Sequence, residues 1–191
     1  MRKGRIEAFS DGVIAILITI MVLELKVPTG AGLGALQPLV PILLSYLLSF
    51  VILGIYWNNH HHLLQIVDSV DGRVLWANLH LLFWLSLIPF ATHWMGENRF
   101  AALPVAVYGA VLLLAAIAYF ILTRILLTLH ARDSVLATAL GRDSKGTISL
   151  VVYLAAIPLS FVDPRLALAL YVLVAVMWLV PDRRIERTLA R

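Results

Sequence analysis

The stretch FSDGVIAILITI, Phe9–Ile20, places a serine and an aspartate at the edge of a long apolar run. The run stops at Pro28, so it is long enough to cross a membrane as a helix. An ionisable group on such a helix is costly to bury, and Asp11 therefore needs hydrogen-bond donors nearby. The stretch predicts a membrane-spanning helix whose acidic corner contacts neighbouring helices.

The composition extends this prediction to the whole chain. The 191 residues are 61% hydrophobic and 14% charged, and the mean hydropathy is +0.92, whereas soluble domains are about half apolar and about a quarter charged. The sequence therefore predicts an all-α integral membrane protein surrounded by lipid. The basic residues lie at the ends of apolar runs, so the net charge of +4 does not indicate a nucleic-acid partner. The absence of cysteine excludes disulfides and thiolate metal sites.

Six spans are predicted, at about residues 6–27, 38–60, 73–94, 103–129, 144–162 and 164–180, within one domain that covers residues 1–191. With the N-terminus inside, twelve of the fifteen Lys and Arg residues fall on the cytoplasmic side. The outer side receives only Lys26, Arg99 and Arg165. This bias predicts a multi-pass protein of the cell membrane with both termini in the cytoplasm.

The first span has two differently used faces. Ile16, Ile20 and Leu23 fall on one narrow stripe of a helix, and Thr19 lies beside it. Asp11 points about 140° away from that stripe. An apolar stripe at helical spacing is by itself typical of core or lipid contact, and the polar groups are also compatible with a buried helix that pairs with its neighbours. The positions of these residues around the helix axis do not decide between these alternatives.

Donors for Asp11 are expected at the end of the second span and in the third span. The candidates are the indole, amide and imidazole side chains of Trp57, Asn58, His60, His61, Asn78 and His80. Consecutive histidines on a helix point about 100° apart, so the run His60–His62 does not predict a metal site. The sequence shows no Gly-rich phosphate loop, nucleophile elbow or close catalytic carboxylate pair, and we predict neither an enzyme nor a cofactor.

These segments carry a family resemblance. The segment Arg5–Pro28 resembles the first helix of the bacterial relatives of the lysosomal transmembrane potassium channel, and Tyr56–Asn98 is similar to the second and third spans of that family. The family pattern is an arginine, three residues, and then phenylalanine-serine-aspartate, which is matched by Arg5, Phe9, Ser10 and Asp11. The likeness covers about half of the chain at the level of motifs and the rest by the number of spans.

The resemblance implies a cation channel selective for potassium over sodium, built as a homotetramer whose first helices line the pore. It implies an apolar constriction at Ile16, further apolar layers at Ile20 and Leu23, and a role for Thr19 in selectivity. The eukaryotic member also conducts protons, so the implied function extends to proton permeation. Arg5, Ser10 and Asp11 match residues that hold the first helix to its neighbours.

The hydration of the permeating ion leads to the same expectations. The chain has no Thr-Val-Gly-Tyr-Gly carbonyl filter, so an apolar ring would select through the cost of removing water from the ion, and potassium over sodium only modestly. Glu24 either attracts cations at the outer mouth or pairs with Lys26. Two other functions stay open at this point: a small proton-coupled secondary transporter that uses Asp11 and His80, and a membrane scaffold without conduction.

Overall fold

The computed structural model describes residues 3–65, 67, 69–129 and 144–179. These residues contain seven α-helices: α1 Gly4–Leu23, α2 Val40–Gln65, α3 Gly72–Ser86, α4 Ile88–Glu97, α5 Ala102–Leu129, α6 Ser144–Leu159 and α7 Pro164–Leu179. A 3-10 helix, Leu33–Leu39, leads into α2. The predicted all-α class is confirmed. The predicted end of the sixth span lies outside the described residues, and so do seven of the twelve Lys and Arg residues that are predicted to be cytoplasmic.

Four helical stretches are long and apolar enough to cross a membrane by length and composition: Gly4–Leu23, Leu33–Gln65, Gly72–Glu97 and Ala102–Leu129. The third combines α3 and α4. The helices α6 and α7 are apolar but have 16 residues each, which corresponds to about 24 Å against the roughly 30 Å of a bilayer core. The described chain therefore has the helices of a polytopic membrane protein.

Several predicted span boundaries differ from the observed helices; α2, for example, continues to Gln65 rather than ending near His60. α1 ends at Leu23 rather than near Val27, ahead of Pro28, which disfavours helical backbone in the residue that precedes it. The third span is divided at Leu87, which is the C-cap of α3 and the N-cap of α4. Pro89 lies in the first turn of α4 and has no N–H to continue the hydrogen bonds of α3, so the helix restarts there.

The packing places α1 on one side of the bundle. α1 contacts α2, α3 and α4, whereas α5 packs against α3, α4, α6 and α7. The core between α5 and α7 is tight: a Cβ at Gly109 would overlap the Tyr171 ring, whose hydroxyl donates to the Val105 carbonyl at 3.2 Å. In the single subunit, α1 is therefore covered by other helices along one face only.

The first turn of α3 offers a test of the fold at its membrane edge. Asp71 accepts a hydrogen bond from the Val74 amide at 3.0 Å and one from the Arg73 guanidinium at 2.9 Å. The Val74 amide, and after it the Arg73 bond, lower the pKa of the Asp71 carboxyl. A lowered folded-state pKa stabilises the fold above the ordinary carboxyl pKa of about 4, and this stabilisation is lost as the pH falls through the folded value.

We expect Asp71→Ala to lower the Tm of the purified protein at pH 7, because the α3 cap is lost. The difference from wild type should shrink below about pH 4. Asp71→Asn keeps a capping oxygen but not the charge, so its loss should be intermediate at pH 7. A Tm difference for Asp71→Ala that is the same at pH 7 and pH 3 would contradict the charged cap.

Candidate functional site

The two faces of α1 differ in what covers them. The residues buried against α2, α3 and α4 recur every three or four positions and are Ile6, Ser10, Ile14, Leu17 and Met21. The predicted stripe lies on a different side of the helix and is uncovered: Ile16 is 57% exposed, Ile20 40% and Leu23 80%. The structure thus leaves three large apolar side chains of one helix stripe without contacts to the rest of the chain that would bury them.

Thr19 lies on the same uncovered face. Its hydroxyl donates a hydrogen bond to the Ile16 carbonyl at 2.9 Å, one turn back in the same helix. This bond uses the proton of the hydroxyl and leaves its oxygen as an acceptor. Thr19 therefore adds an oxygen acceptor to an otherwise apolar surface.

A chain of buried polar side chains joins α1 to α2 and α3. The Asn78 amide nitrogen donates to the Ser10 hydroxyl at 2.9 Å, and the Asn78 carbonyl oxygen lies 2.7 Å from Nε2 of His60. Ser10, Asn78 and His60 are each 1% exposed or less. Because the amide oxygen can only accept, His60 donates this hydrogen bond from Nε2. The three helices are therefore connected by directional bonds inside an apolar core.

Asp11 has a separate partner at the edge of this region. The Trp57 indole N–H donates to one Asp11 carboxylate oxygen at 3.0 Å, and the indole ring stacks on His61 with 5.8 Å between ring centroids. The Asp11 side chain is half-buried. Asp11 thus pairs with the end of α2, one of the locations considered from the sequence.

The structure does not bring all the expected network residues together. His61 bonds to Gln65 at 2.8 Å, and His80 accepts from the Trp84 indole at 2.9 Å, so both have partners one turn away in their own helices. Arg5 and Asn58 are exposed, and no side-chain hydrogen bond of theirs occurs within the described part of the chain. Asp11 and His80 do not share a hydrogen bond, because Asp11 bonds to Trp57 and His80 to Trp84. The proton relay that the transporter alternative requires therefore has no direct Asp11–His80 bond to use.

One anchor of α1 was not anticipated. Lys3 donates to the Leu64 and Gln65 carbonyls, both at 2.8 Å, and these are the last carbonyls of α2. Such carbonyls have no partner within their own helix, and a cation there also interacts favourably with the helix dipole. The two sides of the contact are 61 and 62 residues apart in the chain, so no local pattern could have indicated it.

The opposite end of α1 carries a group of charged side chains. The Lys26 ammonium lies 2.7 Å from a Glu97 carboxylate oxygen, so Lys26 pairs with α4 rather than with Glu24. Glu24 has His93 as its neighbour, with 3.9 Å between Oε2 and Nδ1. Glu97 and His93 were missed from the sequence, although their spacing of four residues on one helix face was a usable signal.

Within the described residues, no group of three or more His, Asp or Glu side chains could hold a metal ion. A buried hydroxyl cluster connects α2 with α4 and α5 instead: Ser49 lies 2.6 Å from the Thr92 hydroxyl and 2.8 Å from the Tyr108 hydroxyl. Ser45 donates to the Ile42 carbonyl of its own helix at 2.9 Å. Ser49 therefore links α2 to α4 and α5, whereas the hydrogen bond of Ser45 stays within α2.

The helices and the site define a class: a polytopic α-helical membrane protein whose first helix is fixed by polar contacts on one face and presents an apolar stripe with one threonine on the other. Residues 5–89 match the family described as endosomal/lysosomal potassium channel TMEM175. The chain is 54% identical over 189 residues to a potassium channel of a Chryseobacterium species, with 99% of this chain and 98% of the relative covered. The chain belongs to the TMEM175 family.

Two further comparisons agree with this assignment. A potassium channel of Streptomyces collinus is 33% identical over 190 residues, with 92% of this chain and 91% of the relative covered. The crystal structure of a lysosomal potassium-selective channel TMEM175 homolog from Chamaesiphon minutus superposes with a TM-score of 0.79 at 31% identity, over 93% of this chain and 96% of that chain. The family resemblance predicted from the first three spans is confirmed.

The buried polar chain can be tested at Asn78. We expect Asn78→Leu to destabilise the protein by about 2–3 kcal/mol, because Ser10 and His60 would both lose their partner in an apolar core. Thermal unfolding of the purified protein measures the effect. Asn58→Leu, on the exposed side of α2, is the matched control and should change the Tm little. Equal losses of stability for Asn78→Leu and Asn58→Leu would contradict the role of the buried hydrogen-bond chain.

Proposed function

We propose that this protein is a potassium-selective cation channel of the cell membrane, in which four subunits surround one pore lined by α1. The observation that carries the proposal is the uncovered stripe of Ile16, Ile20 and Leu23 on a helix whose other face is tied to α2 and α3. The potassium channels among its full-length relatives support the ion. Both termini face the cytoplasm, as the distribution of Lys and Arg favours.

A single uncovered stripe cannot enclose an ion path. A closed ring of identical subunits places the same stripe of every copy on the symmetry axis. The side chains of Ile16, Ile20 and Leu23 then form stacked apolar rings, and Thr19 adds a ring of hydroxyl oxygens. That the ring contains four subunits is taken from the family resemblance. The rest of each subunit faces lipid and neighbouring subunits.

The proposed selectivity follows from ion hydration. An apolar ring offers no oxygen ligands, so an ion that passes it must give up part of its water, and a narrow ring can close by losing its own water. Potassium holds its water less tightly than sodium and passes at a lower cost. The Thr19 oxygens replace part of the lost hydration next to the constriction. Selectivity from this arrangement is modest compared with that of a carbonyl filter.

Two features favour cations over anions. α1 ends with its carbonyl groups, and hence the negative end of its dipole, on the side away from the N-terminus. Glu24 follows Leu23 directly and is exposed, so the assembled channel has a carboxylate from every subunit at this outer mouth. Lys26 does not neutralise it, because Lys26 pairs with Glu97.

Ion flux through the purified protein in liposomes tests the proposal, with separate gradients of potassium, sodium and protons. Wild type should pass potassium faster than sodium. Ile16→Asn should raise the potassium flux by about fivefold or more, because a polar side chain wets the apolar ring. The flux driven by the proton gradient measures the proton permeation that the family resemblance implies.

The matched control for Ile16→Asn is Val22→Asn. Val22 is 46% exposed on the same helix but points about 120° away from Ile16, so the same polar side chain should leave the flux near the wild-type value. Equal flux increases in the two variants would contradict the assignment of the stripe. A wild-type protein that assembles correctly and passes no potassium would contradict the channel itself.

Thr19 provides a test of selectivity. We expect Thr19→Val to lower the permeability ratio of potassium to sodium by about twofold, because the acceptor oxygens are replaced by methyl groups of similar size. Thr19→Ser retains the oxygen and should keep most of the ratio. Reversal potentials with potassium on one side and sodium on the other measure it. Identical reversal potentials for wild type and Thr19→Val would exclude Thr19 from selectivity.

A further inference from the structure

A pocket lies between α2, α5, α6 and α7, near the helix ends that the distribution of Lys and Arg predicts to be cytoplasmic. Its volume is about 50 Å³, whereas a single water needs roughly 10–15 Å³. Its walls are mostly aromatic, and the rings come from Tyr56, Tyr119, Phe120, Tyr153 and Trp178. Tyr56, Phe120 and Trp178 are only half-buried, so the pocket is open on one side. We call it the aromatic pocket.

Two phenol hydroxyls of the aromatic pocket lack a hydrogen-bond partner. Tyr153 is 4% exposed and Tyr56 is half-buried, and neither hydroxyl makes a hydrogen bond within the described residues. The Tyr108 phenol in the same core, by contrast, bonds to Ser49 at 2.8 Å. A buried phenol normally has a partner, and an unpaired O–H among hydrocarbon is costly. The aromatic pocket therefore suits a ligand that brings a hydrogen-bond acceptor.

The other polar side chains of the aromatic pocket bond to the protein itself. The Asn59 amide donates to a carbonyl of its own helix at 2.9 Å, and the Tyr119 hydroxyl donates to the Asn59 carbonyl at 3.3 Å. Ser149 donates to the Lys145 carbonyl at 2.8 Å and accepts from the Trp178 indole at 2.9 Å. A ligand is therefore met by two phenol donors and an otherwise largely apolar wall.

Two basic side chains lie against rings of this wall. The Arg124 guanidinium is 4.8 Å from the centroid of the Phe120 ring, and the Lys145 ammonium is 5.8 Å from that of the Trp178 ring. Arg124 is exposed and has no carboxylate partner within the part of the chain that the structure describes. None of the described residues that line the aromatic pocket is acidic. The charge beside the aromatic pocket is therefore positive and favours an anionic ligand.

We propose that the aromatic pocket binds an anionic glycerophospholipid of the cytoplasmic leaflet. An acyl chain fills the pocket, an ester carbonyl oxygen accepts from Tyr56 and Tyr153, and the phosphate lies near Arg124 and Lys145. Water would satisfy the phenols but not the apolar wall, and a plain hydrocarbon would leave the phenols unpaired. Basic pockets between helices on the cytoplasmic side are suited to anionic headgroups. The lipid connects the short helices α6 and α7 to α2 and α5.

This inference goes beyond the proposed function, because the aromatic pocket is lined by helices other than α1. Thermal unfolding of the purified, delipidated protein in detergent tests it. Added phosphatidylglycerol should raise the Tm by about 4 °C, because a ligand that binds only the folded protein stabilises it. Phosphatidylcholine with the same acyl chains should raise the Tm by about half as much or less. Native mass spectrometry of the same samples measures whether phosphatidylglycerol stays bound.

The phenols allow a test that leaves the fold intact. Tyr56→Phe and Tyr153→Phe remove only hydroxyls that have no partner in the described chain, so the Tm without lipid should stay near the wild-type value. The double variant should lose more than about half of the Tm shift with phosphatidylglycerol. Tyr46→Phe is the matched control: Tyr46 is also half-buried on α2 and without a hydrogen bond, but lies outside the aromatic pocket. It should keep the full shift.

The headgroup contact is tested separately. Arg124→Gln should reduce the difference between phosphatidylglycerol and phosphatidylcholine and leave the effect of phosphatidylcholine unchanged, because only the charge is removed. Arg165→Gln makes the same change at the predicted outer side and should keep the wild-type difference.

Three outcomes would overturn the inference. The first is a wild-type Tm that phosphatidylglycerol does not raise above the value with phosphatidylcholine. The second is a full shift in the double phenylalanine variant. The third is a double variant that is less stable than wild type by the same amount with and without lipid, since the phenols would then act through water or protein. Potassium flux is not a readout here, so a failure of the channel proposal leaves this test valid.

Discussion

The structure depends on one constraint, which is the rotation of α1 about its own axis. In a membrane, apolar side chains gain little by contacting other helices instead of lipid, because both are equally apolar. Ile6, Ile14, Leu17 and Met21 on the buried face could therefore exchange with Ile16, Ile20 and Leu23 at a small difference in transfer free energy. Apolar burial alone does not decide which face of α1 turns inward.

The polar side chains make that decision. Ser10 reaches Asn78 only when its side of α1 faces α3, and Asn78 in turn holds His60 of α2. A rotation that broke these bonds would leave buried polar groups without partners, at about 1–3 kcal/mol for each group. The uncovered stripe is thus a consequence of a hydrogen-bond chain on a different face of α1. The contacts that orient the helix and the surface proposed to meet the ions are separate groups of residues.

The sequence predicted the parts of this arrangement that depend on local spacing. The stripe of Ile16, Ile20 and Leu23 follows from helical periodicity, and the need of Asp11 for a donor follows from the cost of an unpaired carboxylate. Partner choice could not be predicted in the same way. Glu24 and Lys26 are close in the chain, but Lys26 bonds to Glu97, 71 residues away. His80 looked like a partner for α1 and instead accepts from Trp84 one turn along α3.

The anchors of α1 are unevenly distributed along its length, and this has a mechanical consequence. Its described side-chain hydrogen bonds to other helices come from Lys3, Ser10 and Asp11, which lie in the N-terminal half. The half that carries Ile16 to Leu23 is held by the apolar contacts of Ile14, Leu17 and Met21. After α1, the chain is tied to α4 by the exposed pair of Lys26 and Glu97, and exposed pairs contribute little to stability. The apolar stripe therefore belongs to the part of α1 that can tilt at the lowest cost, while the polar chain keeps the other end in place.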